Sequence, residues 1–141
     1  MYIKIIIEGK PKPKKRPRYS PKISMKLKII IEGKPKPKKR PRYSPKNGFF
    51  YSPSEEDEQD IKKLIMIQLI NKKVPLVKDL KLNLEYHLKT QKHADIDNLI
   101  KLTMDALNEL CYEDDKQIKE LHAKIIYDNK EFTKVIIEEL E

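Results

Sequence analysis

Several acidic side chains and one lysine lie close together in the second half of the sequence. Asp95 and Asp97 are separated by one residue and come directly before a run with helical spacing. Asp97, Lys101 and Asp105 follow at intervals of four residues, so a helix places them on one face. The pair Asp114–Asp115 comes shortly after that run. The pattern therefore makes carboxylates from neighbouring segments candidates for one site.

Clustered carboxylates are typical of a magnesium site. Mg²⁺ prefers oxygen ligands, and one or two carboxylates usually hold it together with water and a substrate phosphate. Carboxylates that lie close together repel one another unless a cation lies between them. A lysine at such a site can offset the charge of a phosphate group. These residue types therefore indicate metal-assisted hydrolysis of a phosphodiester bond.

The same residues also have ordinary structural uses. Aspartate is a favoured helix cap, so Asp95 or Asp97 can simply cap the helix that follows. Lys101 can pair with an aspartate on the helix surface. Asp114–Asp115 can form a turn. On spacing alone these are the commoner uses, and an Asp-x-Asp motif is a weak signal by itself.

Apolar periodicity predicts the elements that must position these residues. One amphipathic helix is predicted from about Asp97 to Leu110 and another over 54–72. Residues 80–89 alternate as a half-buried strand. Further strands are predicted at 27–32, 49–51, 117–127 and 132–140. A proline-rich extended loop is predicted at 34–46. This order predicts an α/β (α+β) domain with a mixed β-sheet packed by two main helices.

Positive charge is concentrated at the start of the chain. The 141 residues include 31 Lys and Arg against 22 Asp and Glu, a net charge of +9. Residues 1–48 alone carry 17 basic and 2 acidic side chains, and the rest of the chain is net acidic. A basic segment joined to an acidic body suits a polyanionic partner. We expect the basic loop to contact DNA phosphates through Lys38, Lys39, Arg40, Arg42 and Lys46.

An exact repeat precedes the main domain. Residues 4–22 and 28–46 both read KIIIEGKPKPKKRPRYSPK. Two identical strands compete for one place in a sheet, and the shorter connection favours the second copy because its loop-closure entropy is smaller. We therefore divide the chain into a duplicated N-terminal arm at 1–24, which is peripheral or an artefact, and one domain at 25–141. The arm is expected to be loose, an added edge strand or a swapped strand, and we favour a loose or peripheral arm.

The central motifs together resemble those of a known family. DIDNLIK is followed by MDALN and then by DDKQI, and the N-terminal part has a strand, Gly33, Pro35 and the run Lys39-Arg40-Pro41-Arg42. Their order and spacing resemble the RusA family of Holliday junction resolvases over essentially all of 25–141. The duplicated N-terminal copy departs from the family pattern.

The resemblance implies a small homodimeric endonuclease that uses Mg²⁺, with Mn²⁺ as an alternative, to nick four-way branched DNA symmetrically in recombination and repair. The family's metal carboxylates and essential lysine fall on Asp95, Asp97, Asp115 and Lys101. Asp105 matches a recurring family aspartate, for which helix support is as reasonable a role as catalysis. Asp114 is expected to be a neighbour of the site and not a ligand.

Two other functions fit parts of the sequence. A non-catalytic nucleic-acid-binding protein would explain the proline-spaced basic segment, but not carboxylates placed near phosphates. A metal nuclease that cuts other branched DNA, such as flaps or forks, has the same residues as a junction nuclease. We expect a cytoplasmic protein, because Cys111 is the single cysteine and no intrachain disulfide is possible. We expect no membrane span, because the best apolar stretch is too short.

Three further features receive structural interpretations. Cys111 is expected to be a small buried apolar residue and not a nucleophile. His93 is expected to be a surface residue. The aromatic run Phe49–Tyr51 is expected to pack in the core or in a dimer interface, although such rings can also stack on bases.

Overall fold

A computed structural model describes residues 2–6 and 22–140, with side chains from residue 25 onward. Seven strands and two helices follow the chain, together with one short 3-10 turn at Asp115–Gln117. Their bounds are β1 (Tyr2–Ile6), β2 (Lys22–Glu32), β3 (Arg42–Ser44), β4 (Phe49–Tyr51), α1 (Glu55–Gln68), β5 (Leu80–Leu88), α2 (Ile96–Leu107), β6 (Ile118–Tyr127) and β7 (Phe132–Glu139).

The main sheet has five strands in the order β1-β2-β7-β5-β6, and β3 pairs with β4 in a separate hairpin. β7 runs antiparallel to both of its neighbours, whereas β5 and β6 are parallel. Two parallel strands need a crossover, and α2 lies within it. α2 therefore begins after the C-terminal end of β5 and ends before the start of β6. The predicted mixed sheet with two main helices is confirmed.

The core lies on one face of this sheet. Every second residue of β5 points into it, and Leu80, Leu82, Leu84, Tyr86 and Leu88 are each at most 1% exposed. Apolar residues of β2, β7 and both helices complete this core. A buried polar link joins the sheet to α2, because the Tyr86 hydroxyl hydrogen-bonds Thr103 Oγ1 at 2.9 Å.

One side chain closes part of the edge of β2. β1 pairs with β2 between Lys22 and Lys26, so among the described residues no strand lies beside the backbone of Ile30 on that side. Gln68, the last residue of α1, takes the place of a strand. Its Oε1 accepts from the Ile30 backbone N–H at 2.9 Å, and its Nε2 donates to the Ile30 carbonyl at 2.7 Å.

The structure differs from the sequence predictions in five places. α1 ends at Gln68, four residues before the predicted end at residue 72. The proline-rich loop contains strand β3. α2 ends at Leu107, three residues before the predicted Leu110, and Glu109 follows with a φ of 68°. Leu64 continues the apolar spacing that predicts α1, but it is exposed. The aromatic run Phe49–Tyr51 is a strand as predicted, but its rings are exposed, so the prediction of core packing is wrong.

The second copy of the repeat supplies the inner strand β2, and β1 of the first copy lies beside it at the edge of the sheet. Most of the predicted N-terminal arm, residues 7–21, lies outside the described residues, so the division of the chain at residue 24 stays a prediction. Cys111 is buried, and burial raises the pKa of its thiol to about 12. This agrees with a packing role.

Candidate nucleic-acid and metal site

An open cleft of about 980 Å³ lies between the proline-rich segment that follows β2 and the N-terminus of α2. One wall is basic and the other carries carboxylates. Its side chains are Pro37, Lys38, Lys39, Arg40, Pro41, Arg42, His93, Ala94, Asp95, Asp97, Asn98 and Lys101. The cleft thus brings together predicted phosphate-binding residues with two predicted metal ligands and the predicted lysine.

Asp95 stands at the N-cap position of α2 with extended backbone angles, and its carbonyl accepts the first helical hydrogen bonds from Asn98 and Leu99. Its carboxylate makes no capping hydrogen bond, although the position allows one. Within the described residues, the side chains of Asp97 and Lys101 also form no hydrogen bond or ion pair, and both are exposed. Neither helix capping nor ion pairing on the helix surface therefore accounts for the side chains of Asp95, Asp97 and Lys101.

Two backbone hydrogen bonds hold the basic wall in place. The Lys38 N–H donates to the Asn98 carbonyl at 2.8 Å, which ties the segment to α2. The Lys39 N–H donates to Ser54 Oγ at 2.5 Å, and Ser54 is fully buried just before α1. Because each bond uses the backbone, the side chain of Lys39 remains exposed at the cleft.

Lys38 itself is engaged by carboxylates. Its Nζ lies 3.0 Å from Asp105 Oδ2 and 3.4 Å from Glu58 Oε1. The hydrogen bond to Asp105 is the main cause that raises the pKa of Lys38, and Glu58 adds to it. Asp105 therefore acts here as a partner that joins α2 to the basic segment. Of the five predicted phosphate-binding residues, Lys38 is the one whose charge is already balanced.

Asp115 lies beyond the C-terminal end of α2, whereas Asp95 stands at its beginning. A helix of this length extends about 18 Å. Asp115 Oδ1 accepts from the Tyr112 hydroxyl at 3.0 Å. Burial raises the pKa of Asp115, and the negative charges of Asp105 and Asp114 raise it further, while the Tyr112 hydrogen bond opposes them.

Asp114 has a structural role. Its side chain accepts from the Lys116 backbone N–H, and Gln117 completes a capping box around the short turn that precedes β6. Across residues 25–140, no three histidine, cysteine or acidic side chains lie close enough together to hold one metal ion. The described structure thus brings Asp95 and Asp97 to one cleft and places Asp115 among other partners.

A family model described as "Endodeoxyribonuclease RusA" matches residues 32–138. The chain belongs to the RusA endodeoxyribonuclease family. No curated protein sequence matches the chain at a significant level. The family match spans the whole cleft, both helices and all the candidate residues, so the resemblance suggested by the DIDNLIK, MDALN and DDKQI motifs is confirmed.

Membership of the RusA family makes this chain a nuclease of the kind that acts on branched DNA. The basic wall of the cleft suits the phosphates of such a substrate. No helix within residues 22–140 has the length and apolar character needed to cross a bilayer. Lys46, the fifth predicted phosphate contact, lies outside the cleft, in the turn of the β3–β4 hairpin.

One residue of this RusA cleft was missed by sequence reasoning. His93 was expected to be an ordinary surface residue, but it is half-buried and lines the cleft beside Asp95. Its Nδ1 lies 2.8 Å from the Ala94 carbonyl and its Nε2 lies 3.0 Å from the Tyr127 hydroxyl at the end of β6. The partner is far away in sequence, so no local signal identifies it.

The donor chemistry of the cleft fits Mg²⁺, the metal predicted from the motifs. Asp95 and Asp97 offer two carboxylates with no competing partner in the described residues. Mg²⁺ is commonly held by one or two carboxylates, with water and phosphate oxygens as its other ligands. Mn²⁺ accepts the same oxygen donors. Asp115 as a third ligand stays a prediction.

Proposed function

We propose that this protein is a Mg²⁺-dependent endonuclease that resolves four-way DNA junctions by paired, symmetric nicks. The observation that carries the proposal is the unused carboxylate of Asp95. It stands where an aspartate normally caps a helix, makes no cap bond, and shares a cleft with Asp97 and Lys101. A protein that only binds DNA gains nothing from two unpaired carboxylates beside the phosphate path.

Each residue of the cleft has a proposed task. Asp95 and Asp97 would hold the metal in the cleft. Asp115 is kept as a third ligand on the family motif alone, because it does not line the cleft. Bound Mg²⁺ supplies polarisation of the phosphodiester and activation of a water molecule. Lys101 lies one turn after Asp97 on the same helix face and offsets negative charge on the phosphate that is cut.

The basic wall orients the DNA. Lys39, Arg40 and Arg42 face the cleft opposite the carboxylates and contact phosphates on the strand that enters. Contacts of this kind give affinity and orientation but no sequence information. The described residues offer no obvious helix or strand for reading the base sequence of DNA. We therefore propose that the protein recognises the shape of the branch.

Paired nicks require two active sites, and we propose a C2 homodimer. A four-way junction has approximate two-fold symmetry, which a C2 dimer matches. β6 forms one edge of the main sheet, so its outer backbone groups are available to a second chain. The expected role of such an enzyme is in DNA recombination and repair.

The test compares a labelled four-way junction, a flap substrate and a matched linear duplex, each with Mg²⁺, with Mn²⁺ and with EDTA. Asp97→Asn is expected to abolish cleavage of the junction while binding survives. Asp60→Asn is the matched control, because Asp60 is exposed on α1 and does not line the cleft. A supercoiled cruciform plasmid reports pairing, since paired nicks linearise it whereas single nicks only relax it.

Tight binding of the junction without cleavage in either metal would refute the nuclease proposal and favour a non-catalytic DNA-binding protein. Cleavage of the flap in preference to the junction would keep the chemistry and change the substrate. Relaxed but never linear cruciform would contradict paired nicking. Light scattering of the free protein tests the dimer independently.

A further inference from the structure

The β3–β4 hairpin carries four large aromatic side chains that are exposed to solvent. Phe50 is 72% exposed, and Tyr43, Phe49 and Tyr51 are each more than 40% exposed. The register pairs Tyr43 directly with Phe50, so these two rings share one face of the hairpin. Their centroids are 5.2 Å apart in a tilted arrangement. Phe49 and Tyr51 lie on the opposite face.

This hairpin packs mainly on itself. Within residues 25–140, neither of its strands makes an extensive contact with another helix or strand. Exposed rings in contact with water forgo the gain from burial, and contiguous exposed apolar surface usually marks a binding site. The four rings therefore need a partner that the described part of the chain does not supply.

The charge around the hairpin decides which partner fits. Residues 33–53 contain seven lysines and arginines and no acidic residue. Arg42 belongs both to β3 and to the wall of the cleft, so the aromatic surface is continuous with the phosphate-binding surface. A partner must then be anionic and must also offer flat faces for stacking. Nucleic acid meets both conditions, whereas a second copy of this basic hairpin would be repelled.

We propose that the β3–β4 hairpin stacks on nucleobases that are unstacked at the branch point of the DNA, and that Phe50 is the leading ring. The proposal rests on the proposed function and adds the way in which the branch is recognised. Bases inside a linear duplex have both faces covered by their neighbours, so the rings find nothing to stack on there. At a branch point, stacking is interrupted and a base face becomes available.

The hairpin thereby gives the enzyme preference for structure over sequence. Stacking on an aromatic ring is tolerant of sequence, because every base has a π-face. The basic side chains bind phosphates in any DNA, and the rings add affinity only where a base face is open. Discrimination between a junction and a duplex should therefore depend on Phe50, while binding to duplex should not.

The experiment measures equilibrium binding of the full chain, in EDTA, to a four-way junction and to a linear duplex of the same sequence. The junction carries 2-aminopurine at the branch point or, as a control, in the middle of an arm. Phe50→Ala is compared with Phe50→Trp, which keeps a stacking ring, and with Phe50→Leu, which keeps apolar bulk only. Ile67→Ala is the matched control, since Ile67 is 66% exposed on α1 away from the cleft.

The wild type and Phe50→Trp should change the fluorescence of the branch-point probe and not that of the arm probe. Phe50→Ala and Phe50→Leu should lose this change and weaken junction binding by roughly tenfold, with duplex binding unchanged. Junction affinity equal to wild type in Phe50→Ala would overturn the inference. Wild-type junction affinity and a wild-type fluorescence change in Phe50→Leu would also overturn it. So would a loss of dimer in Phe50→Ala, which would make the hairpin a protein interface.

The inference and the proposed function fail in different ways. If the wild type cuts junctions and Phe50→Ala cuts them with equal preference over duplex, the nuclease stands and the stacking role is wrong. If the wild type binds the branch with the expected fluorescence change but never cuts, the stacking role stands and the nuclease is wrong.

Discussion

Replacement of Gln68 by alanine should destabilise the protein far more than its place at the end of a helix suggests. The amide of Gln68 forms two hydrogen bonds to the backbone of Ile30, at 2.9 Å and 2.7 Å, where no neighbouring strand is available. Alanine removes both bonds and leaves a partly buried N–H and carbonyl of β2 without a partner. Within the helix, the change removes an exposed hydrogen bond from Gln68 Nε2 to the Leu64 carbonyl, and alanine is the better helix former.

The magnitude follows from these two bonds. A typical intramolecular hydrogen bond contributes about 1 kcal/mol net, and a buried group left without a partner costs about 1–3 kcal/mol. Because the Ile30 groups are only partly buried, we expect a loss of about 2 kcal/mol in the free energy of unfolding. For a chain of this length that corresponds to a drop in Tm of roughly 6–8 °C.

The assay is thermal and urea unfolding, followed by circular dichroism, of Gln68→Ala beside Gln59→Ala. Gln59 lies on the same helix, is exposed, and forms no side-chain hydrogen bond within the described residues. The control thus carries the same change in helix propensity. Equal Tm values for the two variants would refute the idea that Gln68 closes the edge of β2. Faster aggregation of Gln68→Ala alone would support it, because an open strand edge pairs with other chains.

Two further predictions concern charge. Lys39→Met should reduce the slope of log Kobs against log salt concentration for DNA binding by about 0.9, the value for one phosphate contact. Lys38→Met should change this slope little, because Asp105 already balances the charge of Lys38. Equal reductions of the slope in the two variants would contradict this prediction. The hydrogen bond from His87 is the main cause that lowers the pKa of Asp128 below 3.8, so Asp128 stabilises the fold above that pH and loses its effect as pH falls through the folded-state pKa. The gap in Tm between wild type and Asp128→Asn should therefore be present at pH 5 and shrink below pH 3.8, and a gap that is constant with pH would refute the assignment.

Local patterns in the sequence were sufficient for most of the elements. The alternation over 80–89 predicted β5 and its buried face. An apolar residue at every second position is typical of a strand with one buried face. The start of α2 was predicted within one residue from the aspartates and the apolar spacing that follow. Its end was not, because the chain leaves the helix at Leu107 although Leu110 continues the apolar period.

Contacts between distant segments could not be predicted. Gln68 follows Leu64 and Ile65 at helical spacing, and nothing local shows that its amide replaces a strand next to Ile30. Lys38 looked like its basic neighbours, but the ion pair with Asp105 depends on how two segments pack. The candidate site followed from short motifs, whereas the contact of Asp115 with the Tyr112 hydroxyl depends on how the chain packs after α2.

The proline-rich basic segment has the composition of a flexible linker, but it is held in one conformation. Its prolines fix φ, and its backbone is bonded to Asn98 of α2 and to buried Ser54. A flexible basic tail loses conformational entropy when it binds DNA. In this segment, that entropy has already been lost during folding. When these charges attract DNA phosphates, little of that attraction is needed for ordering the protein's own chain.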